Sequence, residues 1–272
     1  MRYLKGKRTG IIGLGNMGRA ILNGLVSSGA VRKSAIIGLD ADSGKCRDIK
    51  KRFGITISKS IKELVGRSHI VLIAVKPQDI DPVLDEIARC CKNRLYISIA
   101  AGVKTPRLEN KLGDHARVVR VMPNTPALVG EGISALCKGR YASRSDLKTA
   151  DEIFSSVGEV VELNEKYFDL VTALSASGPA YFFYLIEALI KAGVDLGLKK
   201  EIALRLVSKT ALGSARLLIE SEVAPEILRA RVTSKGGTTI EAIRIFEKAK
   251  TKETVARAVR AAARRSKELS KG

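Results

Sequence analysis

The sequence predicts an α/β domain with a doubly wound, mostly parallel sheet, followed by a domain built from helices alone. Three observations carry that expectation. A short apolar run, Ile11-Ile12, enters a glycine-spaced turn, Gly13-x-Gly15-x-x-Gly18, and leaves it in helical periodicity. β-rich runs then alternate with helical ones as far as residue 163, the pattern of parallel strands joined by crossover helices. From residue 164 onward the periodicity is helical throughout.

Each element has its own reason. The first strand ends at Ile12, and the helix after the glycines carries Ile21, Leu22, Leu25 and Val26 on one face. Ala35–Leu39 reads as the second strand, ending at Asp40; a helix over 45–53 and a short strand at 55–57 follow. A helix at 60–65 precedes the strongest strand, 69–75, whose continuous apolar run suits a strand covered on both faces. It stops at Lys76-Pro77, because proline cannot donate to a ladder. A helix over 79–90, a strand over 95–100 broken by Ala101-Gly102, a helix over 105–112 and a strand over 116–122 come next. That strand stops at Pro123-Asn124-Thr125-Pro126. A last piece, with strand 133–137, helix 143–155 and strand 159–163, completes a first domain of residues 1–164.

The second domain, 165–272, opens with a helical stretch over 167–174. Ser175-Ala-Ser-Gly-Pro-Ala180 should break and restart the chain, with Ser177 as an N-cap and Pro179 at an early helical position. The helix over 179–197 is apolar on most sides (Tyr181, Phe182, Phe183, Leu185, Ile186, Leu189, Ile190). Such a helix belongs in the middle of a bundle or in a dimer core. Helices over 199–220 and 225–231 follow, then Val232–Thr239 opening a helix to about Lys248, then a basic amphipathic tail over 250–270.

At 272 residues the chain is long enough for one large or two ordinary domains. No run reaches the roughly 18 uninterrupted apolar residues of a membrane helix. Met1-Arg2-Tyr3-Leu4-Lys5 meets the first strand at once, so no signal peptide and a cytoplasmic setting are expected. Cys46, Cys90, Cys91 and Cys137 lack paired C-x-x-C spacing and only two histidines exist, so no metal site is expected and the thiols should be reduced. The net charge of +20 raises nucleic-acid binding, but aromatics make up only 4% and Trp is absent. Stacking platforms are therefore scarce. A basic surface that draws in an anionic cofactor and substrate is the better reading.

Two clusters carry the chemistry. In the first, each glycine has a mechanical reason: Gly13 for the tight turn, Gly15 for close approach of a pyrophosphate, Gly18 for close packing of the helix on its strand. The N–H groups at that helix start, together with Leu14, Asn16 and Met17 of the turn, would hold a dinucleotide. Gly13, Lys76-Pro77, Ala101-Gly102 and Pro123-Asn124 share the carboxyl ends of the strands, where an open sheet binds its ligand. Asp40, near the expected offset, is either a ribose ligand or the start of the next helix; an acid there would repel a 2′-phosphate and favour NADH. Lys45 and Arg47 lie just beyond it and would soften that repulsion.

The second cluster is Ser234 to Thr239, where hydroxyls and exposed N–H groups make either a carboxylate-sized anion site or an ordinary capped helix. His69 starts a strand, His115 sits in a loop, and no helical Lys follows Ser177-Gly178 at a useful spacing. The chemistry therefore needs no strong general base. Hydride delivery to a polarised C=N bond, with the cofactor doing the difficult step, fits that inventory.

Taken together, the motifs carry a resemblance over nearly the whole length. They are Ile12-Gly-Leu-Gly-Asn-Met-Gly18, Ala74-Val-Lys-Pro77, Ser98-Ile-Ala-Ala-Gly102, Arg120-Val-Met-Pro-Asn-Thr-Pro126, Ser175-Ala-Ser-Gly-Pro-Ala-Tyr181 and Thr233-Ser-Lys-Gly-Gly-Thr-Thr239. In this order the chain resembles the Δ1-pyrroline-5-carboxylate reductases of proline biosynthesis. The resemblance implies a Rossmann domain followed by a helical domain that interlocks with its twin, giving a homodimer or a higher oligomer of dimers. It implies NADPH or NADH as cofactor, 1-pyrroline-5-carboxylate as substrate and L-proline as product, with no membrane or nucleic-acid partner. By resemblance Gly13 to Gly18 hold the pyrophosphate; Ala74, Val75, Lys76, Pro77, Ala100, Ala101 and Gly102 line the dinucleotide, and Asn124 sits near the nicotinamide. Ser234, Gly237 and Thr238 would take the substrate carboxylate, Thr239 would bond the ring nitrogen as the catalytic residue, and Glu222 is a further substrate-site candidate.

Three departures stand out. Many members carry a basic residue near positions 41–42, whereas this chain has Asp40-Ala41-Asp42, and an Asn usual near position 61 is Ile61. Both lean away from the family's NADPH and towards NADH. The usual Ser-Pro-Gly-Gly is Ser234-Lys-Gly-Gly237, which removes a pre-set helix-start proline and adds a positive charge near an anionic ligand. Rival readings are a β-hydroxyacid-type dehydrogenase or other imine reductase, and a dinucleotide-sensing or nucleic-acid-binding regulator on the same fold. The first would need a catalytic Lys that 177–181 lacks.

Overall fold

A computed structural model describes residues 2–90, 93–113 and 115–270. Cys91 lies outside the described residues, as does Met1 of the expected signal-free start. One sheet of eight strands has the order β3-β2-β1-β4-β5-β6-β7-β8. The strands are β1 (Thr9–Ile12), β2 (Ile36–Leu39), β3 (Thr56–Ile57), β4 (Ile70–Ile73), β5 (Leu95–Ser98), β6 (Arg117–Met122), β7 (Gly132–Lys138) and β8 (Gly158–Glu162). Between them run α1 (Asn16–Ser27), α2 (Ser43–Phe53), α3 (Ile61–Arg67), α4 (Ile80–Ala88), α5 (Thr105–Leu112) and α6 (Arg144–Phe154). Their ends fall within about two residues of those read from the sequence, the usual scatter of frayed termini.

β1 and β4 are buried at every residue, as double-sided cover requires. Two apolar clusters flank the sheet. One includes Ile11, Ile21, Leu22, Leu25 and Phe154; the other includes Ile12, Leu64, Val71, Leu84 and Leu108. Among the described residues the β6–β7 pair alone is antiparallel, with Met122 opposite Ala135. The intervening stretch, 123–131, is shorter than the dozen or so residues of a parallel crossover and folds as a single 3₁₀ stretch, so the chain turns straight back.

The chain divides into two compact units, 1–177 together with 262–272, and 178–261. This division by packing lies thirteen residues beyond the boundary expected at residue 164 (177 − 164). The reason is packing: Phe168 is buried with Met122, Ala135 and Cys137 in a third apolar cluster, so 165–177 stays with the sheet. α7 (Phe168–Val171) runs into a π-helical turn, Thr172–Ala176, and α8 begins at Gly178. Ser177 has right-handed helical dihedrals, φ −85° and ψ −21°. It is therefore no N-cap: the chain rewinds through the π turn where a break was expected.

The second unit holds α8 (Gly178–Asp195), α9 (Lys200–Ser221), α10 (Pro225–Arg231), α11 (Thr238–Lys248) and most of α12 (Thr251–Leu269), whose last turns belong to the first unit. α8 and α9 pack through small residues, with Ala203 buried where Gly193 leaves room. Otherwise α8 is bare, with Phe182 69% and Phe183 66% exposed. The helical run Glu165–Asp195 contains an 18-residue window of mean hydropathy 1.3, long and apolar enough by composition to cross a membrane.

Candidate active site

The glycine turn sits where β2, β1 and β4 end side by side. Gly13 N–H donates to Leu39 O at 2.8 Å, and Ala74 N–H to Ile12 O at 2.7 Å. Gly13 has φ +96°, and a Cβ there would meet Ala74 O at 2.6 Å. At Gly18 a Cβ would come within 2.0 Å of Gly13 O, so the turn closes on its own helix. Gly15 is the opposite case: a Cβ there meets nothing within 4 Å. The bare backbone of Gly15, followed by the N-terminus of α1 with no side-chain cap, leaves room and N–H donors for a pyrophosphate.

In front of the turn lies a cleft of about 910 Å³ lined by Gly13, Gly15, Asp40, Ala74, Val75 and Lys76, with Lys45, Lys59 and Ser60 also in its wall. Its position at the carboxyl ends of the strands and its size suit a dinucleotide. Asp40 does not begin a helix. Its Oδ2 accepts from Leu14 N–H at 2.7 Å and its Oδ1 from Asp42 N–H at 2.9 Å, so the carboxylate braces the glycine turn. Asp42 caps α2, accepting from the N–H groups of Gly44 and Lys45. Lys45 Nζ lies 3.7 Å from Asp40 and 4.0 Å from Asp42. Both acids are thus committed to local backbone and faced by a cation.

Pro77, Ala101 and Gly102 line a neighbouring cavity of about 430 Å³ with Thr172, Ser266 and Leu269. Asn124 is buried, with Oδ1 accepting from Ile133 N–H at 3.0 Å and Nδ2 donating to Ser175 Oγ at 3.3 Å. Beneath these loops Arg120, 2% exposed, donates to Glu165 at 2.9 Å. Glu165 also accepts from Thr105 N–H at 2.8 Å and from Thr105 Oγ1 at 2.7 Å. The sequence reading missed Arg120 and Glu165 as a pair, since nothing local links positions so far apart. Lys59 was missed too, although the strand-end rule applied to β3 points to it.

Ser234, Gly237, Thr238, Thr239 and Glu222 lie in the second unit. Gly237 N–H donates to Ser234 O at 3.1 Å, and Gly236, at φ +73°, holds the third position of that turn. α11 starts only at Thr238, capped by Gly237 without a side-chain bond, so its first N–H groups have no local partner from the cap. Lys235 accordingly sits in a β-turn ahead of the helix. A proline at position 235 would therefore be a turn residue at the second position, where proline is favoured, and not a helix-start residue. Glu222 ends α9 at φ +53°, exposed, with no hydrogen bond from its carboxylate among the described residues.

Neither histidine lines the cleft. His69 precedes β4 at the opposite, amino end of the strands, and His115 packs edge-on against Tyr141 at 5.1 Å. No group of three metal-ligating side chains occurs among the described residues.

Known proteins match this arrangement along its whole length. The pyrroline-5-carboxylate reductase dimerisation family matches residues 165–269, and a family described as NADP oxidoreductase, coenzyme F420-dependent, matches residues 8–102. The pyrroline-5-carboxylate reductase of Arabidopsis thaliana is 40% identical over 97% of this chain and 95% of its own. This chain belongs to the pyrroline-5-carboxylate reductase family. The Synechocystis reductase is 42% identical over 96% of this chain and 98% of its own. Among solved structures, the Coxiella burnetii pyrroline-5-carboxylate reductase superposes with TM-score 0.91 at 37% identity, covering 98% of this chain and 99% of that one. The Plasmodium falciparum pyrroline carboxylate reductase, solved with NADP bound, gives 0.89 at 34% identity with the same coverage.

Proposed function

We propose that this chain reduces 1-pyrroline-5-carboxylate to L-proline with a reduced nicotinamide dinucleotide, the last step of proline biosynthesis, in the cytoplasm. The observation that carries the reading is the open glycine turn at the mouth of the sheet, in a chain that keeps the family's motifs from end to end. The reduced nicotinamide supplies the hydride that the imine carbon accepts. The protein's own work is positional. The N–H groups at the start of α1 hold the pyrophosphate, and the loops at 74–77 and 100–102 border the dinucleotide, with Asn124 fixing the wall beside them. The turn at 234–239 grips the substrate carboxylate through the Ser234 hydroxyl and the Thr238 N–H, with Gly237, whose own N–H closes the turn on Ser234 O, leaving room for that hydroxyl, and Thr239 orients the ring nitrogen. Glu222 is a lesser contributor on the same side.

The cleft takes NADPH as well as NADH. The acids that argue for NADH are tied to backbone N–H groups and faced by Lys45, and Lys59 adds a cation to the same wall. The bare helix α8 is covered by a second copy in a homodimer, which accounts for its apolar surface better than a membrane does, since the matching family over that stretch is a dimerisation family. A spectrophotometric assay with 1-pyrroline-5-carboxylate and each reduced nicotinamide tests the reading. Turnover with both supports it, and no turnover with either overturns it. Lys59→Gln should weaken NADPH selectively.

A further inference from the structure

At the amino ends of the strands, opposite the dinucleotide cleft, where β1 and β2 begin, lies a cavity of about 650 Å³. Its charged lining is Lys5, Lys7, Arg8 and Arg32, with the hydroxyl of Ser34 among them and no acidic side chain. None of these four cations makes an ion pair within 4 Å among the described residues. Lys7 Nζ donates to Thr149 Oγ1 at 3.2 Å, and Arg8 Nε donates to the carbonyl of Arg67. Glu152, a carboxylate bound to this segment, accepts the backbone N–H groups of Arg2, Tyr3 and Leu4. It anchors the strip that carries the lysines without neutralising them.

The uncompensated charge is felt next door. His69 Nδ1 accepts from Arg8 N–H at 2.9 Å, and its pKa lies below the ordinary histidine value, first through burial and then through Arg8, Arg94 and Lys7. Four like charges around one concavity cost stability through mutual repulsion, and a bound polyanion would relieve it. The volume fits a small molecule, being within the roughly 300–1,000 Å³ of ordinary ligand pockets.

We propose that this cavity binds a compact polyanion carrying two or three phosphate groups, at a site separate from the dinucleotide cleft. Lys5 and Arg32, both exposed, line it from separate stretches of the chain, while Lys7 and Arg8 are held in place by their hydrogen bonds.

The test is calorimetric titration of inorganic tripolyphosphate into the intact protein saturated with NADP⁺, which blocks the other phosphate-binding cleft. One saturable event per chain is expected, weakening steeply as salt is raised. The double variant Lys5→Gln/Arg32→Gln should lose at least tenfold in affinity while NADP⁺ affinity and turnover stay unchanged. Unaltered tripolyphosphate affinity in that variant, or no binding once NADP⁺ is present, would overturn the proposal. So would a short oligonucleotide that binds the same residues more tightly than tripolyphosphate, since the surface would then serve a polymer.

Discussion

Arg120 and Glu165 pair at 2.9 Å across the gap between β6 and the segment that leads into the helices, with the guanidinium also lying 4.7 Å above the Phe168 ring. Glu165 simultaneously receives two hydrogen bonds from Thr105, at the start of α5. One carboxylate thus fastens the loop at 100–105, the strand β6 that leads to Asn124 and the first turn after the sheet. Removing it strands a buried cation. Glu165→Ala should cost about 3–5 kcal/mol in urea unfolding, and Glu165→Gln, which keeps the shape, should cost less. Equal stability of wild type and the alanine variant would show that the pair does not hold these segments.

The glycine turn offers a paired substitution. Gly18→Ala brings a methyl within 2.0 Å of the Gly13 carbonyl, a backbone atom that cannot swing aside. Dinucleotide affinity should fall at least tenfold, and stability by about 1–3 kcal/mol. Gly15→Ala meets no protein atom within 4 Å. It should fold like the wild type and affect only the bound pyrophosphate, while Gly15→Trp should abolish dinucleotide binding altogether. Fluorescence titration and thermal unfolding separate the two effects, and unchanged dinucleotide affinity in Gly15→Trp would reject the placement of the pyrophosphate.

On the proposed mechanism, Thr239→Ala removes a hydroxyl that bonds a cationic ring nitrogen. The loss in kcat/KM should be about 1.5–3 kcal/mol, with cofactor affinity unmoved. A variant as active as the wild type would take Thr239 out of the reaction.

The exposed aromatic face of α8 predicts self-association. Phe182→Glu with Phe183→Glu places two carboxylates on a face that is two-thirds exposed in the single chain. Sedimentation velocity should show a dimer for the wild type and a smaller species for the variant. A variant that remains dimeric would move the contact elsewhere.

Burial pushes the Cys137 thiol up to about 12, with the Glu165 charge adding to it, so almost no thiolate is present near neutrality. Alkylation of the native protein at mildly alkaline pH should spare Cys137 and modify the partly exposed Cys46 and Cys90 first. Mass spectrometry of the digested product reads this directly, and early labelling of Cys137 would mean the sheet edge opens readily.

Much of the first unit is legible in the sequence because each signal there is local. Glycine spacing announces the turn, and apolar runs announce buried strands. What escaped is non-local or conformational. The antiparallel β7 follows from the shortness of a connection, and the helical passage through Ser177 follows from a π turn that no N-cap rule foresees. Asp40 was read for its charge, whereas its partners, Leu14 and Asp42, decide what that charge does. The 234–239 turn was located by its residues, yet the part played by position 235 emerged only from the bond between Gly237 and Ser234.

Finally, the last turns of α12 come home. Ser266, 6% exposed, donates to Asp169 at 2.7 Å, and the Leu269 carbonyl lies where a side chain on Gly102 would touch it. The helical unit is therefore spliced into the dinucleotide unit rather than hung from its end. A fragment cut after Ser177 would lack the seal beside Gly102, and a faithful excision has to rejoin the chain ahead of Ala262.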